Sequence, residues 1–134
     1  MTQPDGAILI GAREERGDTT FAAHNPATGK PLADDFTEAN ETHVGAACAL
    51  AAEAAHSFSD LAPETRAAFL EAVADAIMNI GDDLIVTAMA ESGLPRARLE
   101  GERGRTCNQL RLFAIEVRQG LWLDATIDPA MPDR

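Results

Sequence analysis

The stretch from Gly93 to Gly120, GLPRARLEGERGRTCNQLRLFAIEVRQG, limits what this chain can fold into more than any other. Its apolar residues are Leu99, Cys107, Leu110, Phe113, Ala114 and Val117, with Leu121 just beyond. From Cys107 onward they recur every three to four positions, the spacing of a helix that buries one stripe. Arg103, Arg105, Arg111 and Arg118 occupy the other faces, interleaved with Glu102 and Glu116. Gly120 falls where a left-handed residue ends a helix. Gly101 and Gly104 each cost about 1 kcal/mol of helix propensity relative to Ala. They predict either a close backbone neighbour or a helix start delayed to near Glu102. A stripe on so long a helix needs several partners.

The upstream chain supplies them. Residues 1–6 read as a loose arm. Ala7 to Gly11 reads as a strand, REERGD (13–18) as a charged turn, and Thr20 to His24 as a second strand antiparallel to the first. In the turn Asn25-Pro-Ala-Thr-Gly-Lys30, Pro26 presets φ and Asn25 and Thr28 offer side chains to local backbone groups. Pro31 to Phe36 is a weaker third extended segment. A first helix starts at Asn40, a good N-cap, with the stripe Val44, Ala47, Cys48, Ala51, Ala55 and Phe58. Pro63 opens a second, burying Phe69, Leu70, Val73, Ile77 and Ile80 up to Gly81. Asp82 is placed to cap a third, with Leu84, Ile85, Ala88 and Met89 inward, that stops at Ser92-Gly93. After Gly120, Leu121 to Ile127 alternates like a strand leaving the helical layer, and residues 128–134 form a Pro-rich tail. Such a strand would carry Trp122 and Leu123 with no sheet to join, so the chain is expected to continue past Arg134.

A net charge of -11 argues against nucleic acid or an anionic membrane as partner, since both repel such a surface. Aromatics are only 4%, so close-packed Ala-rich helices are expected rather than a thick aromatic core. Five of the ten Arg crowd at 96, 98, 103, 105 and 111, among glutamates, and read as a salt-bridged helix face. The apolar run Ala7 to Ile10 is too short for a signal sequence or a membrane span, which places the chain in the cytoplasm.

No catalytic constellation emerges. Cys48 and Cys107 each lie on an apolar stripe and read as packed thiols, and no His sits within a helical turn of Cys107 to act as its base. His24, His43 and His56 are scattered at non-ligand spacings and suit surface or capping roles. Asp34-Asp35 reads as a solvated loop and Asp82-Asp83 as a helix start, where the dipole favours acids. No glycine-rich phosphate loop follows a strand.

Taken in order, Asn25-Pro-Ala-Thr-Gly-Lys30, the helix HVGAACALAAEAAHSF, the Pro63-Glu-Thr-Arg66 helix, Glu91-Ser-Gly-Leu-Pro95 and Leu110-Arg-Leu-Phe113 together resemble the N-terminal part of the NAD(P)-dependent aldehyde dehydrogenase superfamily. Within it, Gly-Glu-Arg-Gly-Arg-Thr-Cys (101–107) and the tail 127–134 are similar to the branch that oxidises α-ketoglutaric semialdehyde (2,5-dioxovalerate). The resemblance implies an α-rich α/β fragment: an N-terminal β-hairpin, then about four helices that layer on a dinucleotide-binding sheet. Residues 1–120 would be the hairpin and helical layer of the cofactor-binding domain, and 121–134 the start of an oligomerisation flap. In the family a Cys thiolate attacks the aldehyde, hydride passes to nicotinamide, and a Glu-activated water hydrolyses the thioester. Those residues follow the region matched here, so no catalytic or cofactor-binding residue is assigned. Some members hold a cation between the carbonyl matching His24 and an acid on the last helix, for which Glu102 is the one candidate; no metal ligand is assigned. The resemblance thus implies NAD or NADP, a small aldehyde and a homo-oligomer for the parent enzyme. For this piece it implies no cofactor, no activity, and the remainder of its own chain as partner. The alternative is a freestanding, non-catalytic α-helical interaction module.

Overall fold

The structure, a computed structural model, describes residues 6–126, except for the side chains of residues 33 and 34. The expected arm at 1–5 and the tail from 127 lie outside the described residues. The element order is β1 (Ile8–Ile10), β2 (Arg13–Glu15), β3 (Thr20–Asn25), β4 (Lys30–Thr37), α1 (Glu41–Ser59), α2 (Pro63–Ile80), α3 (Asp82–Ser92), α4 (Arg96–Gln119) and a 3-10 turn (Leu121–Leu123). This is an α-rich α/β arrangement, with two small sheets ahead of four helices.

The strands pair differently from expectation. β1 pairs with β2, Ile8 opposite Glu15, so the charged segment is itself a strand rather than a turn. β3 pairs with β4, Phe21 opposite Phe36, and the two rings stack at 5.8 Å. Each strand takes the partner that a two- to four-residue turn delivers, because short loops cost least entropy to close. Asp35 therefore sits on a strand, not in a loop. Gly6 is no part of a loose arm: its carbonyl accepts from the Thr37 N–H at 2.8 Å, and a Cβ there would collide with the Asp35 carbonyl.

The helix boundaries follow the expected signals. Asn40 caps α1, Pro63 is the first residue of α2, and Gly93 and Gly120 end α3 and α4 in left-handed conformation. α4 runs without a break through Gly101 and Gly104, and a Cβ at either would meet nothing within 4 Å. Neither the delayed start nor the close neighbour is realised; the length and packing of α4 override two weak propensity penalties.

The core lies where α2 and α4 cross. Ala67 and Ala74 of α2 meet Cys107 and Ala114 of α4, all fully buried. Small residues seven apart let two helices approach closely. The bulkier Leu70, Val73, Ile77, Leu110 and Val117 are left half-buried on the flank, with Phe69 and Phe113 exposed. Ile85 of α3 completes the core. On α1 the expected stripe is not covered: Val44, Cys48 and Phe58 are exposed, and only His43 is buried. β1 contacts α1, and Phe69 of α2 meets Phe58 edge-on at 5.7 Å.

The expected strand after Gly120 is absent over its described part. Leu121–Leu123 instead wind into a 3-10 turn, closed by the Leu123 N–H donating to the Gly120 carbonyl, and Asp124 follows with positive φ. No neighbouring strand among the described residues offers a ladder, so the backbone satisfies itself locally. Trp122 and Leu123 are exposed, as the sequence pattern implies.

Candidate functional site

Two of the motifs that carry the family resemblance meet, the β3–β4 turn and the α3–α4 junction. In the turn, Asn25 acts as anchor: its carbonyl accepts from Thr28 and Gly29 N–H at 3.2 and 2.8 Å, and its Oδ1 accepts from Ala27 N–H at 2.9 Å. Thr28 Oγ1 accepts from the Lys30 N–H at 3.4 Å. The α3–α4 junction comes up against Pro26: a Cβ on Gly93 would stand 3.0 Å from Pro26 Cγ. Gly93 also has φ of +69°, so only glycine both turns the chain here and lets the proline seat. Ser92 Oγ accepts from the Leu94 N–H at 3.2 Å, fixing the exit into α4. Each of these groups is engaged with backbone, and the arrangement is architectural.

The arginine-rich face is salt-bridged. Arg118 donates from Nε and Nη2 to the Glu64 carboxylate at 2.7 and 2.8 Å, and from Nη1 and Nη2 to Glu71 at 2.6 and 2.7 Å. This holds the last turn of α4 to α2. Those hydrogen bonds, more than the charge itself, hold both carboxyls below the usual range and raise the guanidinium further. Arg111 reaches Asp75 at 2.8 Å. Arg96 binds Asp82 with both terminal nitrogens and lowers that carboxyl in the same way. Asp82 is therefore not the cap of α3; Gly81 takes that position, and Arg103 donates to the Gly81 carbonyl at 2.7 Å. Sequence reading misses these links because the partners lie 14 to 54 residues apart.

Cys107 is buried as expected, its Sγ donating to the Ala74 carbonyl at 3.5 Å, with no base beside it. Cys48 is exposed, because α1 leaves its stripe uncovered. His43 serves as a cap: the Asn40 N–H donates to its Nδ1 at 3.2 Å while the His43 N–H donates to Asn40 Oδ1 at 3.0 Å. His24 Nδ1 lies 3.1 Å from the Ala22 carbonyl, and His56 is exposed in the last turn of α1. Glu102 pairs with Arg98 at 2.7 Å and with Arg105 at 2.9 Å, and the hydrogen bond from Arg105, more than the charges, lowers its carboxyl. Among the described residues no three His, Cys, Asp or Glu side chains cluster as metal ligands. A shallow cavity of about 250 Å³ beside the start of α1 is lined by Gly17, Asp18, Thr19, Glu38, Ala39 and Asn40. No helix among the described residues is long and apolar enough to cross a membrane.

Two N-terminal hairpins, the second closed by the Asn-Pro-x-Thr-Gly turn, lead into four helices, the last two joined by the Ser-Gly-x-Pro junction. The model of the aldehyde dehydrogenase family matches residues 13–128, and the chain belongs to that family. It is 50% identical over 134 residues, 98% of its own length, to alpha-ketoglutaric semialdehyde dehydrogenase 2 of Azospirillum brasilense. It is 36% identical over 135 residues, spanning its whole length, to alpha-ketoglutaric semialdehyde dehydrogenase of Acinetobacter baylyi. The chain spans 26% of the length of each of these relatives.

Proposed function

We propose that this chain is the N-terminal portion of an NAD(P)-dependent aldehyde dehydrogenase that oxidises α-ketoglutaric semialdehyde to the corresponding dicarboxylate. The observation that carries the reading is the 50% identity, across 98% of the chain, to a relative named for that substrate. In this reading residues 1–120 are the hairpins and helical layer of the cofactor-binding domain, and residues 121–134 begin the oligomerisation flap. The parent works in the cytoplasm as a homo-oligomer, and its thiol nucleophile and general base come from later in the polypeptide. The residues described here do not fit a dinucleotide on their own: both sheets are two-stranded and antiparallel, and none carries a glycine-rich loop into a helix. In this reading residues 1–134 alone have no dehydrogenase activity.

The test is to purify the protein at the length its cell makes and supply α-ketoglutaric semialdehyde with NAD or NADP. Reduced cofactor is expected from the long protein and none from residues 1–134. Turnover by residues 1–134, or a long protein that oxidises other aldehydes and ignores this one, would overturn the reading. A native protein of 14.2 kDa would favour an interaction module instead.

A further inference from the structure

His24 and His56 are exposed, whereas the fold encloses His43, which is only 8% exposed. Its ring sits where β2, the β2–β3 connection, the end of β4 and the start of α1 meet. On one edge, the Asn40 N–H donates to Nδ1 at 3.2 Å and so completes the cap of α1. A nitrogen that accepts carries no proton, so the neutral ring bears its proton on Nε2. That second edge faces β2, with Nε2 3.9 Å from the Glu15 carboxylate. Gly17 of the connection lies against the ring: a Cβ there would stand 3.5 Å from His43 Cε1 and 3.4 Å from Thr37 Cγ2. Arg13 holds the other oxygen of Glu15 at 3.5 Å. Of the remaining charged groups around the ring, Arg16 lies between Glu15 and Gly17 in the sequence, Asp18 and Glu38 line the neighbouring cavity, and Glu41 occupies the first turn of α1.

We propose that His43 is a proton-sensitive latch on the start of α1, engaged while its imidazole is neutral and released when the ring takes a second proton. An imidazolium has two donors and no acceptor. Its Nδ1–H would face the Asn40 N–H, donor against donor, and a backbone amide shut away from water without a partner is costly. Glu15 pulls the other way, because its carboxylate attracts a positive ring across 3.9 Å in a site largely closed to solvent. A neutral ring therefore serves the cap and a charged ring serves β2. On release the Asn40 side chain still accepts from the His43 N–H, so α1 loosens in its first turn without unfolding. The segment that loosens includes Glu38, Ala39 and Asn40, one wall of the neighbouring cavity.

The experiment uses the protein at its native length and hydrogen exchange read by mass spectrometry between about pH 8 and about pH 5, the interval in which imidazoles change charge. Amide protection over residues 38–45, corrected for the intrinsic pH dependence of exchange, should fall about fivefold on acidification, the factor that one lost cap corresponds to. Exchange at His43 Cε1 in the same samples reports proton uptake by the ring, and the two transitions should coincide. In His43→Gln the side chain reaches back to the Asn40 N–H without titrating, so protection should stay constant. Glu15→Gln should move the transition to lower pH, because the charged ring loses its partner. A His43 that takes up no proton by about pH 5, or protection that is unchanged while it does, would overturn the proposal. So would the same loss in a His43→Gln variant that melts like the parent; should that variant not fold, the two readouts on the unaltered protein decide the matter. Aldehyde oxidation enters none of these readouts, so the latch stands or falls independently of the proposed function.

Discussion

Replacing Ala74 by Leu tests the claim that small residues set the α2–α4 crossing. Leu adds three carbons at a position with no exposed surface, facing a helix whose Cys107 Sγ already lies 3.5 Å from the Ala74 carbonyl. Were there room, burying three more carbons at about 0.8 kcal/mol each would stabilise the chain by roughly 2.4 kcal/mol. Interiors packed to crystal density have no such room, and overpacking costs about 1–3 kcal/mol through displaced backbone and strained rotamers. The penalty wins, and the urea midpoint should fall accordingly, with a drop in melting temperature of roughly 3–15 °C for a chain of this size. The matched control is Ala68→Leu, on the same helix but exposed, expected within about 0.5 kcal/mol of the parent. Adding Cys107→Ala to Ala74→Leu removes the sulfur that crowds the new side chain, so the pair should show a coupling above about 0.5 kcal/mol. Equal midpoints for the Ala74 and Ala68 variants, or strict additivity in the double variant, would refute the crossing as the tight point of the fold.

Ile85 is only 2% exposed, so Ile85→Ala should cost about 2–5 kcal/mol in the same denaturation assay, by lost burial and the cavity left behind. Gly93→Ala should cost about 1–2 kcal/mol, because the left-handed backbone disfavours a Cβ that also presses on Pro26; Gly29→Ala, whose Cβ would meet nothing within 4 Å, should lose only the conformational part. The carboxyls of Glu64 and Glu71 are lowered in the folded state, so the Arg118 clamp contributes above their unfolded values and is lost as pH falls through the folded ones. Arg118→Gln should flatten that part of the acid-unfolding curve and weaken the salt dependence of stability; an unchanged curve would show the clamp to be idle.

Local chemistry was legible because it acts within a few residues. Asn25 closes its turn with its own backbone, Asn40 caps α1, Pro63 opens α2, and Gly93 and Gly120 end helices; neighbours along the chain suffice to read each of them. The order of these signals also pointed to the family that the comparison with the aldehyde dehydrogenase model then gave. Side-chain periodicity, by contrast, reports that a face is apolar and is silent on what covers it. The stripe on α1 was correctly seen as apolar, yet it stays open, and Cys48 with it.

Which strand pairs with which, whether Leu121–Leu123 extends or coils, and which residues meet across α2 and α4 were settled only by tertiary structure. A strand needs a partner to be a strand, and two helices approach most closely at their smallest residues, Ala67 and Ala74 against Cys107 and Ala114, leaving their largest on the flank. The Arg118 clamp is a consequence of that crossing, which brings one guanidinium to both Glu64 and Glu71. The sequence by itself determined where α1 and α2 begin and where α3 and α4 end, because caps and breakers act locally. Their contacts depended on volume and charge brought together from residues tens of positions apart.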